Sequence, residues 1–153
     1  MTPDDALPSL GEQSLTRPPR IVIDTNAALD WLLFADPAAQ ALGQAVEAGR
    51  VAWIGTAAMR DELAHVLASG LAAQRGREPA PVLAAWHRHC AMLPLPAAAP
   101  WRCSDADDQP FIDLAVAAGA RWLISRDKAL LKLARRAHTL GLSIVTPGRW
   151  ALA

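Results

Sequence analysis

The sequence predicts a single α/β domain: a central parallel sheet flanked by helices. Three observations support this. The stretch "RIVID" (20–24) runs three β-branched residues into an aspartate, as in a strand buried on both faces. Short apolar runs alternate with segments of helical period along the chain. Prolines and glycines bound the helical segments, as Pro37 and Gly49 do for "PAAQALGQAVEAG".

The elements follow in order. Residues 1–19 are polar and broken by prolines, so a disordered or loosely ordered leader is expected. The ordered domain is expected over 20–148, with 149–153 as a short tail. After the first strand, "TNAALDWLLF" places Leu29, Leu32 and Leu33 on one helical face. A helix from Pro37 and the strand "VAWIG" (51–55) come next. "TAAMRDELAHVLASG" (56–70) is a helix with Thr56 as its N-cap and Gly70 as its stop. "APVLAAWHRHCAML" (80–93) is another, closed by Pro94. "PLPAAAPWRC" is too rich in proline for a helix. The rest is a helix over 107–119, the strand "RWLIS" (121–125), a helix over 127–141 and the strand "SIVT" (143–146). Four strands are expected.

A chain of 153 residues, 52% hydrophobic, suffices for one core. No apolar run approaches the roughly 18 residues of a membrane helix, and "MTPDDALPSLGEQSL" lacks the basic start of a signal peptide. A cytoplasmic location is therefore expected. Cys90 and Cys103 do not make a disulfide framework. Net charge is zero but unevenly spread. Residues 1–113 hold 14 acids and 8 bases; residues 114–153 hold 7 bases and one acid. A basic segment beside acids suits a polyanion held with the help of cations.

The acids are concentrated. "CSDADDQPFID" (103–113) holds Asp105, Asp107, Asp108 and Asp113, four of eleven aspartates. Sites in open α/β sheets lie at the carboxyl ends of strands. Asp24 closes the first strand, Asp127 follows the third, and Asp107 and Asp108 open the helix leading to it. Glu62 lies inside the helix after the second strand. Each alone reads as a helix cap or a solvated charge. Close together, ionised carboxylates repel and need a cation, and hard oxygen ligands suit Mg²⁺ or Mn²⁺. Other chemistries lack their residues. There is no Gly-rich phosphate loop and no G-x-S-x-G, and Asp61 stands where H-E-x-x-H needs its first histidine.

The stretches "IVIDTN" (21–26), "RDELAHVL" (60–67), "DADDQPFIDLAVAAGARWLISRDKALL" (105–131) and "SIVTP" (143–147) resemble the PIN domain family. Within it the chain looks most like the bacterial branch of toxin components from toxin–antitoxin pairs. The resemblance implies a three-layer α/β/α domain that cleaves RNA with acids and divalent metal. It also implies an antitoxin partner and a homodimer. By position, Asp24, Glu62, Asp108 and Asp127 would be the catalytic acids, and Asp24, Asp108 and Asp127 the metal ligands, for Mg²⁺ or Mn²⁺. Asn26 and Ser125 match supporting polar residues. Asp107 and Asp113 are further candidate acids, and Asp105 and Asp107 read as helix-start charges. Asp113 lies five residues past Asp108, about 140° round a helix, so it points elsewhere. Arg126 and Lys128 are the candidate RNA contacts. Two other classes stay open: another metal-dependent phosphohydrolase, since "IVIDTN" faintly resembles the haloacid dehalogenase start, and an inactive RNA- or protein-binding module of the same fold.

Overall fold

The computed structural model describes residues 17–151. The leader expected over 1–19 lies outside these residues except for its last three. The elements are β1 (Arg20–Ile23), α1 (Thr25–Leu32), α2 (Gln40–Glu47), β2 (Ala52–Gly55), α3 (Ala57–Val66), α4 (Ala72–Gln74), α5 (Pro79–His89), β3 (Cys90–Met92), α6 (Gln109–Ala117), β4 (Trp122–Ile124), α7 (Lys128–Leu131), α8 (Ala134–His138) and β5 (Ser143–Val145). Short 3₁₀ turns precede α2 and α6 and follow β5.

The sheet is five-stranded and parallel throughout, in the order β3-β2-β1-β4-β5. Side chains alternate between its faces. Ile21, Ile23, Trp53, Trp122 and Ile124 point to one side, where Leu29, Leu42, Leu63 and Trp86 cover them. Val22, Ile54, Leu123 and Ile144 point to the other, against Phe111, Ile112, Leu114 and Leu130. With both faces covered, β1 and β4 are apolar at every buried position, and this explains the uninterrupted "IVI" and "WLI" runs. Tryptophans brace the first side. Trp53 packs against Trp31 and Trp86, and Trp122 meets Trp150 edge-on at 5.5 Å. Trp150 is buried, so packing extends two residues past the boundary expected at 148.

The structure corrects the expected elements in three places. The helix predicted over 80–93 ends at His89, and Cys90–Met92 forms a fifth strand beside β2. Three residues at a sheet edge are too few to show alternation, so the helical period ran straight through them. Gly70, expected as a stop, instead takes φ +104 inside a wide π turn (Leu67–Leu71), and α4 resumes beyond it. The helix expected over 127–141 is two short ones, because the chain turns at Lys132–Leu133. Among the described residues no helix is long and apolar enough to cross a membrane.

The strand order fixes where a site can form. From β1 the chain moves to β2 and β3, then returns across the sheet to β4 and β5. The connections leaving β1 and β4 therefore diverge, opening a crevice at their carboxyl ends.

Gly55 sits at the end of β2 under Trp86. A Cβ there would lie 2.9 Å from both Cys90 Sγ and Trp86 Cζ2. Gly55→Ala is expected to cost about 1–3 kcal/mol through overpacking, read as a fall of about 2–4 °C in thermal midpoint per kcal/mol.

Candidate active site

The main chain brings Asp24 and Ser125 side by side. The Asp24 amide donates to Ile124 O at 3.0 Å, and the Ser125 amide to Val145 O at 3.0 Å, so the ladder runs one residue past β1 and β4. Asp24 caps α1, its Oδ1 accepting from the Ala27 amide at 2.8 Å. Its Oδ2 accepts from the Ser125 hydroxyl. That Oγ in turn accepts from the Asp127 amide at 2.9 Å. Asp127 caps α7 through the Ala129 amide at 2.8 Å. Capping and site membership are thus not alternatives here, since the same carboxylates do both. Ser125 is fully buried and Asp24 nearly so, at 3% exposure.

The third arm comes from the turn before α6. Asp105 opens the 3₁₀ turn Ala106–Asp108, accepting from the Asp107 amide at 3.0 Å. One carboxylate oxygen each from Asp105, Asp108 and Asp127 lie within 4.8 Å of one another. Asp108 Oδ2 is buried and, among the described residues, has no hydrogen-bond partner. Burial and then the Asp127 carboxyl push the Asp108 pKa up to about 7, with Asp105 and Asp24 adding to it. Asp24 is also raised, chiefly by burial, against the lowering pull of the Ser125 hydroxyl and the Ala27 amide.

This donor set fits a hard divalent cation. Three carboxylate oxygens converge, and one member carries a buried oxygen with no hydrogen-bond partner among the described residues, so a cation between them would offset their repulsion. Mg²⁺ and Mn²⁺ take such ligands. Asp24 stands outside the tight group and joins it through Ser125.

The remaining candidates fall as follows. Glu62 is exposed on α3, and its Oε2 accepts from the Thr25 hydroxyl at 2.9 Å, beside Asp24. Asn26 is exposed in the first turn of α1. Asp107 is exposed and outside the tight group, whereas its neighbour Asp105 belongs to it. Asp113 points away from Asp108, as its spacing requires. Its Oδ1 accepts from the Ala99 amide and from Gln109 Nε2, both at 2.8 Å. Lys128 is exposed at the start of α7. Arg126 is held by Asp30, a buried acid on α1.

Sequence reasoning passed over two residues that shape the site. Gln109 ties down the loop ahead of Asp105, accepting from the Cys103 amide and donating to Trp101 O at 2.9 Å. Its signal was its spacing, four residues before Asp113 on one helical face. Asp30 left a fainter one: a lone acid amid the apolar residues of α1.

Two outcomes follow from this geometry. Asp113→Ala frees the Ala99 and Gln109 donors and is expected to cost about 1–3 kcal/mol; Asp107→Ala is expected to leave the thermal midpoint nearly unchanged. For Asp108, the folded value near 7 exceeds the ordinary 3.8. The folded chain then holds the extra proton between these values, so its stability falls as pH rises through that window. In chelator, the midpoint difference between wild type and Asp108→Asn should therefore shift against wild type from pH 4 to pH 7. Added Mn²⁺ favours the ionised carboxylates and should stabilise wild type more at pH 8 than at pH 5.

No curated protein matched the chain. The model of the PIN domain matches residues 20–129, more than half of the chain, from β1 through the acids at the ends of β1 and β4 to the start of α7. PIN domains are in general nucleases, with divalent metals as their usual cofactors. With its five-stranded parallel sheet between helices and its acids at the β1–β4 crevice, this chain belongs to the PIN domain family.

Proposed function

We propose that the chain is a divalent-metal-dependent endoribonuclease, acting as the toxin of a toxin–antitoxin pair with a cognate antitoxin as its partner and a homodimer as its working form. One observation carries the catalytic part: Asp105, Asp108 and Asp127 converge with an orphaned Asp108 oxygen beside the buried Asp24–Ser125 pair. The basic segment after residue 113 supports a polyanionic substrate, and all of Arg126, Lys128, Lys132, Arg135 and Arg136 are exposed. The toxin role rests on the sequence likeness to that bacterial branch.

Asp24, Asp108 and Asp127 would hold Mg²⁺ or Mn²⁺, with Asp105 within reach. When bound, the cation supplies Lewis-acid activation of water and neutralises charge on the phosphodiester. The chain's own groups prepare the rest. Ser125 fixes the orientation of the Asp24 carboxylate and of the Asp127 main chain with one hydroxyl. The Ala27 amide fixes the other Asp24 oxygen. Asp108 holds a proton up to about pH 7 until charge compensation releases it. Glu62, positioned by Thr25, is the acid at the rim available to orient water. Lys128, exposed next to Asp127 in sequence, would contact phosphate.

Labelled single-stranded RNA and a small phosphomonoester, incubated with the protein in Mg²⁺ or Mn²⁺ and in chelator, test this reading. Metal-dependent RNA cleavage is expected, lost in Asp24→Asn and Asp108→Asn and reduced roughly 10–100-fold in Ser125→Ala, which touches only ligands. Induced expression should arrest growth in wild type and not in Asp108→Asn. Monoester turnover without RNA cleavage would instead indicate a phosphohydrolase, and RNA binding without cleavage in any metal a binding module.

A further inference from the structure

Asp30 is a carboxylate placed where an apolar residue would be expected. It lies on α1 among Ala27, Ala28 and Leu29, all buried in the core. Its side chain is only 7% exposed, yet it grips Arg126 with both oxygens: Nε to Oδ2 at 2.6 Å and Nη2 to Oδ1 at 3.1 Å. Burying a carboxylate is costly, and an ion pair with one buried member is weak grounds for stability. Arg126 itself is half open to solvent, at 53%. It sits in sequence between Ser125 and Asp127, two residues of the site. Two of its donors are committed to Asp30, and among the described residues the Nη1 edge makes no hydrogen bond.

We infer that Asp30 is a positioning residue: it clamps the inner edge of the Arg126 guanidinium so that the outer edge is fixed at the mouth of the acid crevice as a fork for an RNA phosphate. The inference rests on the nuclease reading and adds the element that sets substrate register. A free arginine must lose rotamer freedom when it meets a phosphate, whereas a clamped planar fork has already lost it. The rim next to several carboxylates also repels RNA, so a fixed cation there marks where the backbone can approach.

Two measurements on wild type, Asp30→Asn, Arg126→Lys and the double variant Asp30→Asn/Arg126→Lys test it. One is the affinity for a short fluorescent single-stranded oligoribonucleotide in EDTA; the other is kcat and KM for its cleavage in Mn²⁺. On charge alone, removing an acid beside a nucleic-acid surface strengthens RNA binding. If Asp30 positions Arg126, the reverse holds: Asp30→Asn weakens binding and raises KM by about ten-fold or more, the worth of a charged hydrogen-bonded contact. Arg126→Lys does the same although it keeps the charge, because lysine has no fork. The double variant is then no worse than either single one. Should Asp30→Asn fold poorly, Arg126→Lys, at an exposed side chain, decides the matter with its thermal midpoint as control. Unchanged or tighter RNA binding in Asp30→Asn, or full retention in Arg126→Lys, overturns the positioning role while leaving cleavage intact. A wild type that neither binds nor cleaves RNA overturns the nuclease reading and this role together.

Discussion

One buried hydroxyl holds the site together. Ser125 Oγ donates to Asp24 at the end of β1 and accepts from the Asp127 amide at the start of α7. Asp24 is nearly sealed from solvent, and an unpaired carboxylate there would be strongly disfavoured. The hydroxyl and the Ala27 amide together make its burial tolerable, and the N-terminus of the eight-residue α1 adds a favourable field. Because Ser125 itself is locked by the β1–β4–β5 ladder, the placement of Asp24 and Asp127 is inherited from the sheet.

The strand order makes that possible. β1 and β4 are parallel neighbours in space but far apart in sequence, so their carboxyl ends deliver Asp24 and Asp127 to the same edge of the sheet. The third arm, Asp105 and Asp108, arrives on a turn tied down by Gln109 and Asp113. The arrangement works against local stability. It gathers like charges, raises the Asp108 pKa to about 7, and leaves one Asp108 oxygen without a partner among the described residues. Departures of this kind from ordinary polar satisfaction mark functional sites.

Much of this was legible in the sequence. A β-branched run ending in Asp24, and "LIS" followed by Asp127, announce strand ends with acids attached, because fully buried parallel strands must be apolar to their last residue. Helix starts at Thr25 and Ala57 were readable from their caps; the helix expected from Asp107 begins two residues later, at Gln109, behind the 3₁₀ turn Ala106–Asp108. What escaped depended on pairing across the chain. β3 is three residues long and forms only because β2 offers it an edge. That Asp105 rather than Asp107 joins Asp108 turns on the direction of a single 3₁₀ turn. The Arg126–Asp30 pair spans 96 residues, and no local period records it.

The central claim is that the acids at the β1–β4 crevice form one divalent-cation site completed by Asp108. Calorimetric titration of Mn²⁺ into the chain near pH 7, in two buffers of different ionisation enthalpy, addresses it most directly. Saturable binding with release of protons is predicted, since Asp108 is part-protonated there before the cation arrives. Asp108→Asn should abolish both the proton release and most of the affinity. Absence of saturable binding, or binding that Asp108→Asn leaves unchanged, would contradict it.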